Sequence, residues 1–146
     1  MVQLEEQCII FELESNGKEA VLRELAGSVH DKCPSIDLDT MTRVLAEREQ
    51  LGSTGVGNGV AIPHGKVPDL EELLLCFARS SHGISFDAVD NRPVQLFVMI
   101  LAPPDTAEDY LQTLARVSRL LRDTTTRNKL LLATDTEIIL ELFNRS

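Results

Sequence analysis

The sequence predicts a single α/β domain in which a central mixed β-sheet is flanked by helices on both sides. Three observations support this prediction. The chain has 146 residues, a length typical of one domain. Segments with helical periodicity precede and follow a group of short β-like segments. One of these, residues 93–104, is a continuous apolar run of the kind that is buried on both faces of a sheet. No repeat or linker divides the chain, so the domain is expected to span residues 1–146.

The first third of the chain is predicted to hold one strand and two helices. The opening strand is centred on residues 8–11. The first helix, GKEAVLRELAGSVHD, is predicted to begin after a cap at Asn16 and to bury one stripe: Ala20, Val21, Leu25 and Val29. The second, over residues 37–50, repeats the pattern with Leu38, Met41, Val44 and Leu45.

Strands and then helices are predicted for the rest of the chain. GVAI, residues 73–80 and residues 93–104 predict three strands, and GISFDAVDNRP has the turn chemistry of a connection. A long amphipathic helix after Pro104 is predicted to bury Leu111, Leu114, Val117, Leu120 and Leu121. TRNKLLLAT and DTEIILELFNR predict two shorter helices, the second capped by Asp135 or Thr134.

Composition limits the function classes. The net charge is -9, which argues against nucleic acid and anionic membranes and favours a basic partner. No apolar run approaches the roughly 20 residues of a membrane helix, and no basic and apolar leader opens the chain, so we expect a cytoplasmic protein without membrane insertion. The three cysteines, Cys8, Cys33 and Cys76, are widely spaced, which predicts buried free thiols rather than a disulfide framework or a zinc site.

The stretch GSTGVGNGVAIPHGK, residues 52–66, places five glycines around His64. It is not a Walker A loop, because Gly59 and Gly65 are one residue too far apart and Val67 follows Lys66. It is not a dinucleotide loop either, since its glycines alternate and follow a helix. We therefore expect no nucleotide and no other cofactor. The other histidines, His30 and His82, are far from His64 in sequence, so no metal site is predicted.

What remains is an imidazole that follows Ile62 and Pro63, in a stretch whose glycines let backbone N–H groups approach an anion. Imidazole is nucleophilic at neutral pH and can carry a covalent group. The alternative is that the glycines serve a tight loop and that His64 is an ordinary surface residue. Spacing alone leaves both interpretations open.

The segment REQLGSTGVGNGVAIPHGKV, residues 48–67, resembles the active-site signature of a bacterial family. This family is the fructose/mannitol-type (type 2) enzyme IIA of the phosphoenolpyruvate-dependent phosphotransferase system, and the nitrogen-regulatory branch is the most similar. The resemblance continues through GISFDAVDNRPVQLFVMILAPPD and YLQTLARVSRLL. It implies a single α/β domain, a phosphohistidine at His64, and a histidine phosphocarrier protein (HPr- or NPr-like) as the donor.

The resemblance also implies a phosphoryl pocket. Arg48 corresponds to an arginine beside the phosphohistidine, although a solvated helix-end charge is the alternative. Ser53, Thr54 and the amide of Gly55 could line the same pocket. We expect Nε2 of His64 to take the phosphoryl group, while its other ring nitrogen donates a hydrogen bond that fixes the tautomer.

One position departs from the family pattern. Many relatives carry a second active-site histidine ahead of the long helix, where this chain has Tyr110 before Leu111. The phenol hydroxyl could donate a hydrogen bond to the phosphoryl group but cannot supply a cation at pH 7. The alternative is a packing tyrosine. His30, in a helix, and His82, in a turn, match no family motif and are expected to be structural or exposed.

Three functions follow from these observations. The first is a nitrogen or metabolic regulatory enzyme IIA whose phosphorylation state is sensed by regulatory proteins. The second is a sugar-transport enzyme IIA that passes its phosphate to a cysteine of a separate enzyme IIB. The third is an interaction module that is never phosphorylated. The closer motif match, and the lack of a fused enzyme IIB or IIC, favour the first. The phosphocarrier is expected to dock on an apolar patch around His64 rimmed by acidic residues.

Overall fold

The computed structural model describes residues 2–144, and its centre is one mixed sheet. Six strands form it: β1 (Ile9–Ile10), β2 (Gly55–Gly57), β3 (Val60–Ala61), β4 (His64–Lys66), β5 (Leu74–Ile84) and β6 (Val94–Ala102). The strand order is β1-β5-β6-β3-β2, and β4 also pairs with β6. β5 runs antiparallel to β6, whereas β3 and β4 run parallel to it. The predicted mixed sheet is therefore confirmed.

Five helices cover the two sides of this sheet. They are α1 (Lys18–Lys32), α2 (Leu38–Gln50), α3 (Ala107–Arg122), α4 (Thr124–Leu132) and α5 (Thr136–Asn144). α1 and α2 pack against each other and against β5 and β4, while α3 and α4 pack together on β6. α5 packs on α4 and extends the core through Phe143, whose ring lies 5.6 Å from that of Phe77. The predicted fold class is confirmed.

Strand β6 forms the middle of the core. Every residue of β6 is buried except Gln95, which is half-buried. This burial agrees with the continuous apolar run from which the strand was predicted, since a strand covered on both faces needs no polar alternation. The ring of Phe97 packs edge-on against Phe86 at 5.4 Å between centroids, which joins the connection after β5 to the core.

Three details of the predicted helices are wrong. Gly17, not Asn16, is the N-cap of α1, and no side chain bonds there. Ala20 is exposed, because the buried stripe of α1 instead consists of Val21, Leu22, Leu25, Ala26 and Val29. In α3, Leu111 is 65% exposed, since Tyr110 and Thr113 take the inward positions of the first turns. Apolar spacing establishes that a helix is amphipathic. Which of its side chains face the core also depends on how the helix packs against the neighbouring elements. The cap at Asp135 is confirmed, because its carboxylate accepts a hydrogen bond from the Ile138 amide.

The glycine-rich stretch contains a hairpin that the sequence analysis missed, although GVAI predicted its second strand, β3. β2 and β3 form a hairpin whose two-residue turn is Asn58 and Gly59, with φ of 58° and 75°. Two successive positive φ angles are typical of a type I′ turn, for which Asn-Gly is the preferred pair. Residues 55–61, part of the stretch whose glycines were expected to let backbone N–H groups approach an anion, thus form a β-hairpin.

One further strand, β4, was not predicted, and the boundary of β5 differs from the prediction. β4 follows β3 along the same edge of β6, with Val60 opposite Leu96 and His64 opposite Ile100. Pro63 lies between the two strands, where the missing N–H of proline interrupts the pairing. β5 is longer than predicted, so His82 lies in this strand and not in a turn. The register of β5 shifts between Arg79 and Ile84, which lets the exposed end continue the strand.

Candidate functional site

His64 is the first residue of β4 and follows Pro63 at the edge of the sheet. Its Nδ1 lies 2.7 Å from the carbonyl oxygen of Ile62. A carbonyl oxygen can only accept a hydrogen bond, so Nδ1 carries the ring proton. Nε2 therefore holds the lone pair of the neutral imidazole. The backbone two residues earlier thus determines which nitrogen is nucleophilic.

Arg48 lies in the last turn of α2, and its Nε is 3.2 Å from Nε2 of His64. Its Nη1 also donates to the carbonyl oxygen of Gly52, at 2.9 Å, which holds the guanidinium beside the imidazole. The contact requires α2 to lie close to β4, and Gly65 permits this approach. A Cβ atom at Gly65 would collide with the side chain of Val44 in α2.

Tyr110 approaches His64 from the first turn of α3. The two ring centroids are 5.9 Å apart, with an edge-on angle of 63° between the planes. Burial raises the pKa of Tyr110 to about 12, although the charge of Arg48 opposes the shift. The phenol is therefore protonated and neutral at pH 7. Three different elements, α2, β4 and α3, bring Arg48, His64 and Tyr110 together.

The electrostatic environment keeps His64 neutral. Its pKa lies below the ordinary value of 6.5, chiefly because burial penalises the charged ring and also because the Arg48 guanidinium is close. The bond to Ile62 and the carboxylate of Glu49 oppose this shift without cancelling it. At neutral pH, the imidazole consequently keeps the Nε2 lone pair, which accepts the hydrogen bond from Arg48.

Glu49 is a buried charge at this site that the sequence analysis missed. Its residue is only 8% exposed, and its carboxylate accepts hydrogen bonds from the amide and the hydroxyl of Thr54. Lys18 of α1 forms an ion pair with it at 2.8 Å. The signal was available, because Glu49 follows Met41 and Leu45 at intervals of four residues on the buried stripe of α2.

Of the other three predicted pocket residues, Ser53 and Thr54 lie between α2 and the hairpin, and Gly55 is the first residue of β2. Thr54 is bound to Glu49, as described above. The Ser53 hydroxyl donates to the carbonyl oxygen of Phe86 at 3.0 Å and accepts from the Gly55 amide at 3.0 Å. None of the hydrogen bonds found within residues 2–144 joins Ser53, Thr54 or Gly55 to His64. The structure therefore brings Arg48 and Tyr110 against His64 but commits these three residues to other partners.

An open concavity of about 710 Å³ surrounds the imidazole. The residues that line it are Val44, Glu47, Arg48, Gln50, Leu51, His64, Gly65, Lys66, Tyr110, Leu111 and Leu114. Leu51 is 84% exposed, and the exposed Leu111 lies on the same surface. The expected apolar patch is present, but the expected acidic rim is not found in this lining, where one acidic residue accompanies Arg48 and Lys66.

Comparison with known proteins assigns this arrangement to a family. The family model described as "Phosphoenolpyruvate-dependent sugar phosphotransferase system, EIIA 2" matches residues 3–146. The chain belongs to this family. The resemblance found in the sequence is thereby confirmed, and the family is a component of a phosphotransferase system. Within residues 2–144 of this EIIA chain, no helix is long and apolar enough to cross a membrane.

Two curated relatives carry different descriptions. A nitrogen regulatory protein from Bradyrhizobium diazoefficiens is 41% identical to this EIIA chain over 133 residues, covering 91% of this chain and 86% of the relative. A fructose-specific EIIA component from Haloferax volcanii is 43% identical over 106 residues, covering 73% and 65%. The sequence is thus similar to both regulatory and sugar-specific members.

Solved structures agree with the fold. The nitrogen regulatory protein IIA-Ntr from Neisseria meningitidis superimposes with a TM-score of 0.89 at 27% identity, covering 95% of this EIIA chain and 94% of that one. IIA mannitol from Escherichia coli superimposes with a TM-score of 0.80 at 21% identity, covering 97% and 99%. The second likeness bears on the fold alone.

Proposed function

We propose that this chain accepts a phosphoryl group on Nε2 of His64 from a histidine phosphocarrier protein, and that it acts as a nitrogen or metabolic regulatory enzyme IIA. The observation that carries the proposal is the pair of contacts made by the ring. Nδ1 is held by the Ile62 carbonyl, while Nε2 lies 3.2 Å from a fixed guanidinium. A nucleophile beside an anion-binding cation suits phosphoryl transfer.

The transfer step needs no proton relay within this chain. The Nε2 lone pair of His64 attacks the phosphorus of the donor phosphohistidine, and the phosphorus–nitrogen bond of the donor breaks as its imidazole leaves with the electron pair. The proton on Nδ1 stays in place throughout. Positive charge accumulates on the His64 ring, and the Ile62 carbonyl bond and the Glu49 carboxylate both stabilise it.

Arg48 has two successive roles in this proposal. In the free protein its Nε donates to Nε2 of His64, so this bond must open before the lone pair can attack. The guanidinium then turns to the equatorial oxygens of the phosphoryl group, where it offsets their charge. Tyr110 supplies a neutral hydroxyl from α3, in place of the second histidine of many relatives.

Ser53, Thr54 and Gly55 belong to the proposed pocket as supports. Their polar groups bond to Phe86, Glu49 and one another, which fixes the backbone immediately after α2. A fixed backbone here holds the Gly52 carbonyl and, through it, the guanidinium of Arg48. We therefore propose that these three residues position Arg48.

The first experiment tests phosphorylation itself. The chain is incubated with phosphoenolpyruvate, enzyme I and a histidine phosphocarrier protein, and its intact mass is measured. We expect one acid-labile phosphoryl group on the parent and on His82→Ala, a control at an exposed histidine. His64→Ala should stay unmodified. An unmodified parent would instead support the hypothesis of an interaction module, and a modified His64→Ala would place the phosphate elsewhere.

The similarity to the fructose-specific component favours one alternative, a sugar-transport enzyme IIA. A second experiment separates it from the regulatory function. The phosphorylated chain is mixed with a fructose-type enzyme IIB, and the mass of enzyme IIB is followed. Enzyme IIB whose acceptor cysteine is replaced by serine serves as the control. We expect little transfer, whereas rapid and complete transfer to the cysteine would support the transport role.

A further inference from the structure

Two cysteines lie side by side at the edge of the sheet opposite β2. Cys8 directly precedes β1, and Cys76 belongs to β5. The two strands pair in parallel with Ile9 opposite Phe77. Cys8, the last residue of a short 3-10 helix (Glu6–Cys8), and Cys76 each lie one residue before this pair. Neighbouring strands lie about 4.8 Å apart, which is within the range of about 4.4–6.8 Å between Cα atoms that a disulfide spans. The strand register therefore brings the two cysteines next to each other, and their thiols are close enough to interact through a side-chain hydrogen bond.

The surroundings make these two thiols chemically different. A side-chain hydrogen bond with Cys76 lowers the pKa of Cys8, and the nearby Lys32 ammonium acts in the same direction, against burial and the Glu5 carboxylate. The same hydrogen bond, with burial, raises the pKa of Cys76 well above its ordinary value, despite the hydroxyl of Ser28. Cys8 is therefore the thiol that ionises first, and Cys76 remains protonated beside it.

Only a small reagent can reach the pair. Cys8 and Cys76 are each 1% exposed, which shields them from bulky thiol reagents. Cys8 nevertheless lines a surface cavity of about 510 Å³, together with Lys32 and Glu5. The cavity admits molecules of the size of water or hydrogen peroxide. Its cationic Lys32 would also stabilise a thiolate at Cys8 during the reaction.

We propose that Cys8 and Cys76 are an oxidisable pair that hydrogen peroxide converts to an intramolecular disulfide. The Cys8 thiolate attacks one oxygen of the peroxide, whose oxygen–oxygen bond breaks, giving a sulfenic acid and, after protonation, one water. The sulfur of Cys76 then attacks the Cys8 sulfur and loses its proton, and the sulfenic hydroxyl leaves as a second water. Two thiols are oxidised, and one peroxide is reduced to two waters.

Cys33 is the natural control, because it is the third cysteine and has no part in the pair. It follows α1 as its C-cap and is half-buried. It does not belong to a strand, and it does not line the cavity at Cys8. A Cys33→Ala variant therefore leaves the proposed disulfide intact, while Cys8→Ala and Cys76→Ala each remove one half of it.

The test uses the whole folded chain and hydrogen peroxide without denaturant. After quenching, remaining thiols are alkylated in denaturant, and the intact mass and the disulfide-linked peptides are measured. The parent and Cys33→Ala should each lose two alkylation sites, and dithiothreitol should restore both. Cys76→Ala should instead accumulate a sulfenic acid at Cys8, detectable with a dimedone probe. This second readout keeps the test informative if Cys8→Ala folds poorly.

Two results would overturn the proposal. One is full alkylation of all three cysteines in the parent after peroxide treatment that oxidises a control peptide thiol. The other is a disulfide that includes Cys33, seen in the peptide map or as its loss in Cys33→Ala. Because His64 takes no part in the oxidation, His64→Ala should form the same disulfide, which separates this proposal from the phosphotransfer function.

Discussion

At His64 the chemistry depends on which ring nitrogen holds the proton and on whether the ring is charged. The imidazole is half-buried, and the Arg48 guanidinium points at Nε2. Both conditions disfavour the imidazolium, because burial removes hydration and a neighbouring cation repels a second one. The Ile62 carbonyl holds the proton on the other nitrogen. A neutral ring with the lone pair on Nε2 is the state that the proposed phosphoryl transfer requires.

We therefore expect His64 to titrate below 6.5, the ordinary value for histidine, in an NMR titration of the ring nitrogens. Arg48→Ala should move the midpoint upward, because it removes a repelling charge, and Glu49→Gln should move it downward, because it removes an attracting one. Since the unfolded chain binds the proton more readily, the free energy of unfolding should fall as the pH drops below about 6.5. A parent midpoint at or above 6.5 would contradict this account.

Arg48 should contribute most to the transfer rate after His64. A charge-assisted contact is worth roughly 1.5–3 kcal/mol, so Arg48→Ala should slow phosphorylation about ten- to a hundredfold. Arg48→Lys should recover only part of this loss, because an ammonium lacks the planar fork of a guanidinium. The measurement is the initial rate of phosphorylation at a fixed phosphocarrier concentration. Parental rates in Arg48→Ala would show that the pocket does not depend on this cation.

Substitutions of Tyr110 can distinguish a packing role of its ring from a chemical role of its hydroxyl. Its pKa of about 12 keeps the hydroxyl protonated and uncharged over the working range, so it would contact phosphoryl oxygens as a neutral donor. Tyr110→Phe keeps the ring beside His64 and should cost about 0.5–1.5 kcal/mol, or tenfold at most in rate. Tyr110→His introduces the group present in many relatives. If Tyr110→Phe transfers at the parental rate, the tyrosine serves only in packing.

At the level of elements, the site depends on how closely α2 lies against β4. Gly65 is the contact point, since a Cβ there would collide with Val44. Gly65→Ala should therefore lower the free energy of unfolding by about 1–3 kcal/mol and slow phosphorylation by displacing Arg48. Val44→Ala in the same chain makes room and should restore part of both. Urea unfolding measures the stability, and additive losses in the double variant would show that the two side chains do not compete for space.

The elements also show what the sequence could and could not predict. The helices and the long strands were predicted, because periodicity survives in the linear sequence. The pairing of Arg48 with His64 was expected only from the resemblance to the family's active-site signature. The rotation of α3 could not be predicted, since the helix turns Tyr110 inward and Leu111 outward only when it packs on β6. Asn58 and Gly59 carried a recognisable hairpin signal that the glycine count obscured. Glu49 was overlooked because charged residues rarely occupy a buried stripe.

At the scale of the whole molecule, the sheet assembles a site from distant parts of the sequence. β4 pairs with β6, α2 packs on β4, and α3 packs on β6. The central strand thus sets the positions of both helices relative to His64. A substitution anywhere in this arrangement can affect transfer without touching the imidazole, as a displacement of about 1 Å is enough to lower the rate of a positioned reaction.

The distribution of charge over the molecule predicts how a basic phosphocarrier is captured. The net charge is -9, yet the concavity at His64 has exposed leucines and only one acidic residue, Glu47, beside Arg48 and Lys66. Attraction should therefore act before contact, and apolar burial should hold the complex after it.

Raising the ionic strength from about 0.05 M to 0.5 M, which shortens the Debye length severalfold, should accordingly slow association while leaving dissociation nearly unchanged. Stopped-flow fluorescence with a labelled phosphocarrier measures both rates. Glu47→Gln should slow association more than Glu137→Gln, an equal change of charge on an exposed residue of α5 outside the concavity. If salt instead accelerated dissociation and left association unchanged, ion pairs in the bound complex, and not long-range attraction, would govern capture.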